Sequence, residues 1–131
     1  MHIKDHVISA VIISIILYPF VKLNVLYFII GAVLIDADHY LYYAIRYRKF
    51  NLIKIHNLWI RHPKKFAEES MCIFHTGEFI SLIVILSFFS FEGLMFTLGV
   101  LFHMALDVYY QCSVLKFPRN YSLFRYINRS S

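Results

Sequence analysis

Apolar residues fall in four long blocks, at about 7–21, 25–45, 71–91 and 93–112. A helix that crosses lipid needs about 20 mostly apolar residues, with roughly 17–25 tolerated. These blocks are too long for strands. A chain in lipid must also satisfy its own backbone hydrogen bonds, which a helix does within one segment. The pattern therefore predicts an all-α fold, an integral membrane bundle of four transmembrane helices. The first block is the shortest, and Pro19 near its end is where a helix can stop. Tyr18, Pro19 and Phe20 follow its apolar run in place of a small-x-small cleavage pattern, so it reads as a retained span rather than a signal peptide. No repeat or low-complexity linker divides the chain, and residues 1–131 read as a single transmembrane domain.

The polar stretches between the blocks set a direction. Residues 46–70 carry Arg46, Arg48, Lys49, Lys54, Arg61, Lys64 and Lys65, and the tail, 113–131, carries Lys116, Arg119, Arg125 and Arg129. Lys4 precedes the first block, and the two short turns hold only Lys22 and Glu92. With four crossings, every one of the 13 basic residues except Lys22 lies on one side. By the positive-inside rule both termini and the middle loop are cytoplasmic, in a multi-pass membrane protein. In the loop, Phe50, Leu52, Ile53, Ile55, Leu58, Trp59 and Ile60 alternate with the basic residues. That mixture suits a segment lying on an anionic membrane surface, with Trp59 at headgroup level and His56 and His62 solvated.

Composition agrees. Of 131 residues 60% are hydrophobic and 16% charged, against about 25% charged in an ordinary soluble domain; mean hydropathy is +0.61. The net charge of +5 accompanies no RNA-recognition, zinc-finger or helix-turn-helix pattern, so nucleic acid is not an expected partner. Membrane lipids are, and the many Tyr and Phe faces suit lipid or a second subunit equally. Cys72 and Cys112 are too few for a disulfide framework. Both fall near the cytoplasmic side, where thiols stay reduced, and read as small buried apolar residues.

Ionisable groups inside such blocks are costly and usually functional. His6 opens the first block. Asp36, Asp38 and His39 lie in the cytoplasmic half of the second, in GAVLIDADHY. His75 and Glu78 lie in the first turns of the third, and His103 and Asp107 in the last turns of the fourth. All four blocks thus place His or carboxylate groups at one depth. The pairs Asp36/His39, His75/Glu78 and His103/Asp107 are spaced i,i+3 or i,i+4, so each shares a helix face. Asp38 is off that face in a regular helix and needs a local break to join. Gly31 and Ala32 permit close helix approach. Imidazole and carboxylate suit a zinc-like ion, and bundles build metal sites from such pairs. Eight candidates exceed one tetrahedral set, which leaves room for one or two ions and for acid/base groups.

The same residues carry a resemblance. His6, then GAVLIDADH from Gly31 to His39, then FHTGE around His75, then HMALD from His103 to Asp107, follow one another as in the YdjM-like inner-membrane proteins, described as membrane-bound metal-dependent hydrolases. LKFPRNYSLF in the tail is also similar to that family's last segment. Ile35 stands where the family has a proline, and the His75 region lacks a further upstream His. The resemblance implies a hydrolase that uses metal-activated water.

Taken together, the expected activity is hydrolysis of a phospholipid or another amphiphilic phosphoester or ester at the cytoplasmic leaflet. One or two divalent ions, zinc above others, would be held by Asp36, His39, His75, His103 and Asp107, with His6 next. Asp38 or Glu78 would be the general base, Asp38 being a ligand candidate too. Two other readings compete. A metal-ion or proton transporter would use the same residues as a relay, but the outer half of every block is apolar. A structural adaptor would need the polar layer only to hold helices together.

Overall fold

The computed structural model describes residues 3–48, 50–51, 53, 57, 61, 72–116 and 122. The described residues are helical, with no strand among them. In chain order the helices are α1 (Ile3–Val21), α2 (Val25–Leu34), α3 (Ala37–Tyr47), α4 (Gly77–Ser87) and α5 (Phe91–Tyr110). Tight turns at Lys22–Asn24 and Ile73–His75, and a wider π-type turn at Gln111–Leu115, join or extend them. Most of the expected surface loop and tail, including Trp59, His56 and His62, lies outside the described residues.

Two helical runs are long and apolar enough to cross a membrane, Lys4–Arg46 with 43 residues and Phe91–Ser113 with 23. The first would reach about 65 Å if straight. It is not straight. Lys22 takes a left-handed conformation, φ 50°, which stops α1 two residues after Pro19. Ala10, Ile13 and Leu17 of α1 then pack in one cluster with Phe28 and Ala32 of α2. The run is an antiparallel hairpin, as the first two apolar blocks require.

The third block departs from expectation. In place of a span over 71–91 there is a helix of 11 residues, Gly77–Ser87. Thr76 is extended and its Oγ1 accepts a hydrogen bond from Phe79 N at 3.3 Å. A threonine that caps a helix start in this way keeps the residues before it out of the helix. His75 therefore sits in the turn ahead of α4, and the expected His75/Glu78 helix face does not form.

α2 and α5 make the closest pair. Gly31 lies against the Phe96 carbonyl and Val100, and Gly99 against the Phe28 carbonyl and Ala32. Phe28 and Ala32 meet Gly99, and Ala32 and Asp36 meet His103 one turn further on, so the pair is parallel. A Cβ at either glycine would strike the opposing backbone carbonyl. Small residues let helix backbones touch in this way. α4 returns antiparallel to α5, where Thr97 Oγ1 donates to the Ile83 carbonyl at 3.2 Å. The inner surface holds Ile35, Ile83, Val100 and Met104. The outer surface is apolar as well: Ile12, Ile15, Ile16, Leu26, Ile30, Leu34, Leu82, Ile85 and Leu86 are between 47% and 69% exposed.

Candidate metal centre

The ionisable residues of all four blocks meet in the interior. His6, Asp36, Asp38, His39, His75, His103 and Asp107, together with Cys72, are between 0% and 6% exposed. Three local features bring them there. α2 gives way to α3 through tightened turns, with Asp36 N bonded to the Val33 carbonyl at 3.4 Å and His39 N to the Asp36 carbonyl at 3.2 Å. This is the local break that Asp38 needed, and Asp38 does join the cluster. The turn at Ile73–His75 carries Cys72 and His75 inward. His103 and Asp107 follow Gly99 by one and two turns on the buried face of α5.

Hydrogen bonds sort the residues into inner and outer atoms. His103 Nδ1 lies 2.7 Å from the Ala32 carbonyl. A carbonyl only accepts, so Nδ1 carries the proton and Nε2 presents its lone pair. His75 Nδ1 lies 3.2 Å from Asp38 Oδ2, which also accepts from Phe74 N at 2.9 Å. That arrangement likewise leaves His75 Nε2 as a lone pair. Both nitrogens face the same two carboxylates. His103 Nε2 is 3.4 Å from Asp36 Oδ1 and 3.6 Å from Asp107 Oδ2. His75 Nε2 is 3.8 Å and 3.9 Å from the same two oxygens.

Those distances discriminate between explanations. A charge-assisted N–H to carboxylate bond is about 2.7–2.9 Å long. The four contacts are longer, and His75 Nε2, His103 Nε2 and Asp36 Oδ1 are buried without a hydrogen-bond partner. Four electron-pair donors held together in this way repel one another unless a cation lies among them. With ligand bonds of about 2.0–2.1 Å, the corners of a tetrahedral zinc site are about 3.3–3.4 Å apart. The four His-to-carboxylate edges are close to that spacing. Two overlapping groups, His75/His103/Asp107 and His6/Asp36/His103, have ligand atoms all within 4.8 Å of one another, so these residues could hold a metal ion.

The outer atoms support these four. Asp38 and the Ala32 carbonyl orient His75 and His103, as the partners of ligating histidines commonly do. His6 Nε2 contacts the second oxygen of Asp107, Oδ1, at 3.1 Å, and its ring stacks on His103 with centroids 3.9 Å apart. His6, Asp36 and His103 also form a group whose ligand atoms all lie within 4.8 Å of one another. His39 differs from the expectation of a plain ligand. Its Nε2 is 3.6 Å from Asp36 Oδ1, while its Nδ1 is 2.6 Å from Cys72 Sγ.

Among the described residues Glu78 stands outside the ligand groups, and one expectation, about the cysteines, needs correction. Glu78 is half-buried, accepts from Ser122 Oγ at 3.0 Å and enters none of the ligand groups among the described residues. The Thr76 cap puts it in the first turn of α4, while His75 stays in the turn before. The cysteines are not alike: Cys112 is exposed, and Cys72 is buried against the cluster. Sequence reading passed over Cys72 as an apolar filler. Its signal was the C-x-x-H spacing to His75, which places thiol and imidazole on one tight turn.

No protein-family model, curated protein or solved structure matches the chain.

His6→Ala tests the outer arrangement. It should weaken metal retention about 10–100-fold, the usual cost of losing an outer partner, with the helical content unchanged. Competition with a chelator of known affinity measures this.

Proposed function

We propose that the protein is a membrane-bound metal-dependent hydrolase, with a zinc-type ion held by Asp36, His75, His103 and Asp107. The observation that carries this reading is the set of lone pairs on His75 Nε2 and His103 Nε2 aimed at two carboxylate oxygens. When bound, the ion supplies Lewis acidity and activates water near neutral pH. His103 and His75 are held in the correct tautomer by Ala32 and Asp38, and Asp107 is oriented by His6. His6 Nδ1, buried without a hydrogen-bond partner, and Glu78 are the groups left to move the proton. Asp38 is spoken for by His75 and the Phe74 amide.

Depth supports an amphiphilic substrate. His103 is 12 residues from the start of α5 and His6 15 from the end of α1, which sets the centre about 18–22 Å from the two short turns. In a hydrocarbon layer about 30 Å thick the centre falls in the leaflet beyond its middle. The described basic residues Lys4, Arg46, Arg48 and Lys116 belong to that same end, which the positive-inside rule makes cytoplasmic. Tyr40, Tyr42 and Tyr43 of α3 suit its headgroup boundary. The apolar exterior suits lipid. A phospholipid or another amphiphilic phosphoester would bring its scissile bond to this level. The motif order shared with YdjM-like hydrolases points the same way. A transport route would need polar groups at several depths, whereas these gather at one.

The test is turnover in liposomes. Purified protein should cleave a phospholipid or amphiphilic phosphoester with Zn²⁺ present, stop with a chelator and resume on re-addition of the ion. Metal bound in full with no cleavage across phosphoester and carboxylester classes would sink the hydrolase reading. Ion flux under those conditions would replace it with transport.

A further inference from the structure

The proposed ion uses the Nε2 face of His75. On the other side of the same imidazoles lies a second set of donors. Asp38, His39, Cys72 and His75 each offer one atom to a group lying within 4.8 Å, and all four are buried. Cys72 Sγ is 2.6 Å from His39 Nδ1, and Asp38 Oδ1 is 4.0 Å from that same nitrogen. None of these three atoms is needed by the first ion. Asp38 satisfies His75 and the Phe74 amide through Oδ2 alone. Its Oδ1 is fully buried, has no hydrogen-bond partner and points into this group. A buried carboxylate oxygen left so, beside a thiol and an imidazole nitrogen, is costly unless something positive faces it.

We infer that Asp38, His39 and Cys72 form a second cation subsite, separate from the Asp36/His75/His103/Asp107 centre and selective for a thiophilic or borderline ion. This rests on the metal-centre reading and extends it to a two-ion cluster. Thiolate, imidazole and carboxylate together favour Zn²⁺, or Co²⁺ as its stand-in, over Mg²⁺ or Ca²⁺. An ion entering the subsite displaces the Cys72 thiol proton, which leaves to solvent. Two bridges couple the sites. Asp38 ligates with Oδ1 and orients His75 with Oδ2. His39 ligates with Nδ1 and turns Nε2 toward Asp36. Either ion therefore fixes a residue that positions a ligand of the other.

Cobalt titration of the purified protein in detergent tests this. Wild type should take up about two equivalents of Co²⁺, one for each ligand set, and show a near-ultraviolet thiolate-to-cobalt charge-transfer band. Cys72→Ala should lose the band and about one equivalent, and His103→Ala should lose the other equivalent and keep the band. If Cys72→Ala does not retain its helical signal, Cys72→Ser is read in the same way. A wild type with no thiolate band, or a band that survives in the Cys72 variant, overturns the subsite. Uptake of about one equivalent that His103→Ala abolishes, without a band, removes the subsite and leaves the main centre standing. No uptake at all removes both.

Discussion

His103→Ala should empty the Asp36/His75/His103/Asp107 centre and, with it, abolish hydrolysis. The side chain is fully buried, and it is fixed from both ends: Nδ1 by the Ala32 carbonyl at 2.7 Å, Nε2 between Asp36 and Asp107. His103 Nε2 is closer to Asp36 Oδ1 and Asp107 Oδ2, at 3.4 and 3.6 Å, than His75 Nε2 is, at 3.8 and 3.9 Å. Losing an outer partner of a metal ligand costs about 10–100-fold in affinity. Losing the ligand itself should exceed the upper end, more than about 2.7 kcal/mol. Metal content after desalting and phosphoester turnover should fall together. Retained metal with lost turnover would instead make His103 a group acting on substrate.

Gly99→Leu should destabilise the bundle more than any other single change on its apolar faces. A Cβ at position 99 meets the Phe28 carbonyl and the Ala32 amide, which are backbone atoms and cannot rotate away. Overpacking a core usually costs about 1–3 kcal/mol because side chains give way. Here the helices themselves must part, so a cost at or above the upper end is expected. Separation of α2 from α5 also pulls Ala32 from His103. Thermal unfolding in detergent should show a large drop in midpoint and a parallel loss of metal affinity. Ala105→Leu, on the exposed side of the same helix, is the control and should stay within about 0.5 kcal/mol. Equal effects of the two would mean that α5 packs by another face.

Much of the site was legible because expensive residues in apolar segments advertise themselves. Asp36, His39, His103 and Asp107 could be placed on common helix faces from spacing alone, and the break that admits Asp38 follows from its being off that face. The architecture was legible to the level of helices and their reversals, since Lys22 and the 88–90 turn fall where the apolar blocks end. The third block misled because hydropathy cannot register a cap: Thr76 starts the helix only after His75, within a run that stays largely apolar. Cys72 was missed because burial of a cysteine is ordinary and only its neighbours give it meaning. Division of labour among the polar groups was not readable at all. It depends on which ring nitrogen meets a carbonyl or a carboxylate, and Ala32, which decides this for His103, contributes only backbone.

His6 and Asp107 touch across 101 positions of sequence. Chains emerge from the ribosome N-terminus first, so α1 exists long before its partner on α5. Through most of synthesis His6, Asp36 and Asp38 must wait without the residues that complete them. The Ala10–Phe28–Ala32 cluster can hold the first hairpin together in that interval. In the proposed centre, ion capture by Asp36, His75, His103 and Asp107 would follow arrival of the last helix, which would make loading a late step of assembly rather than a seed for folding.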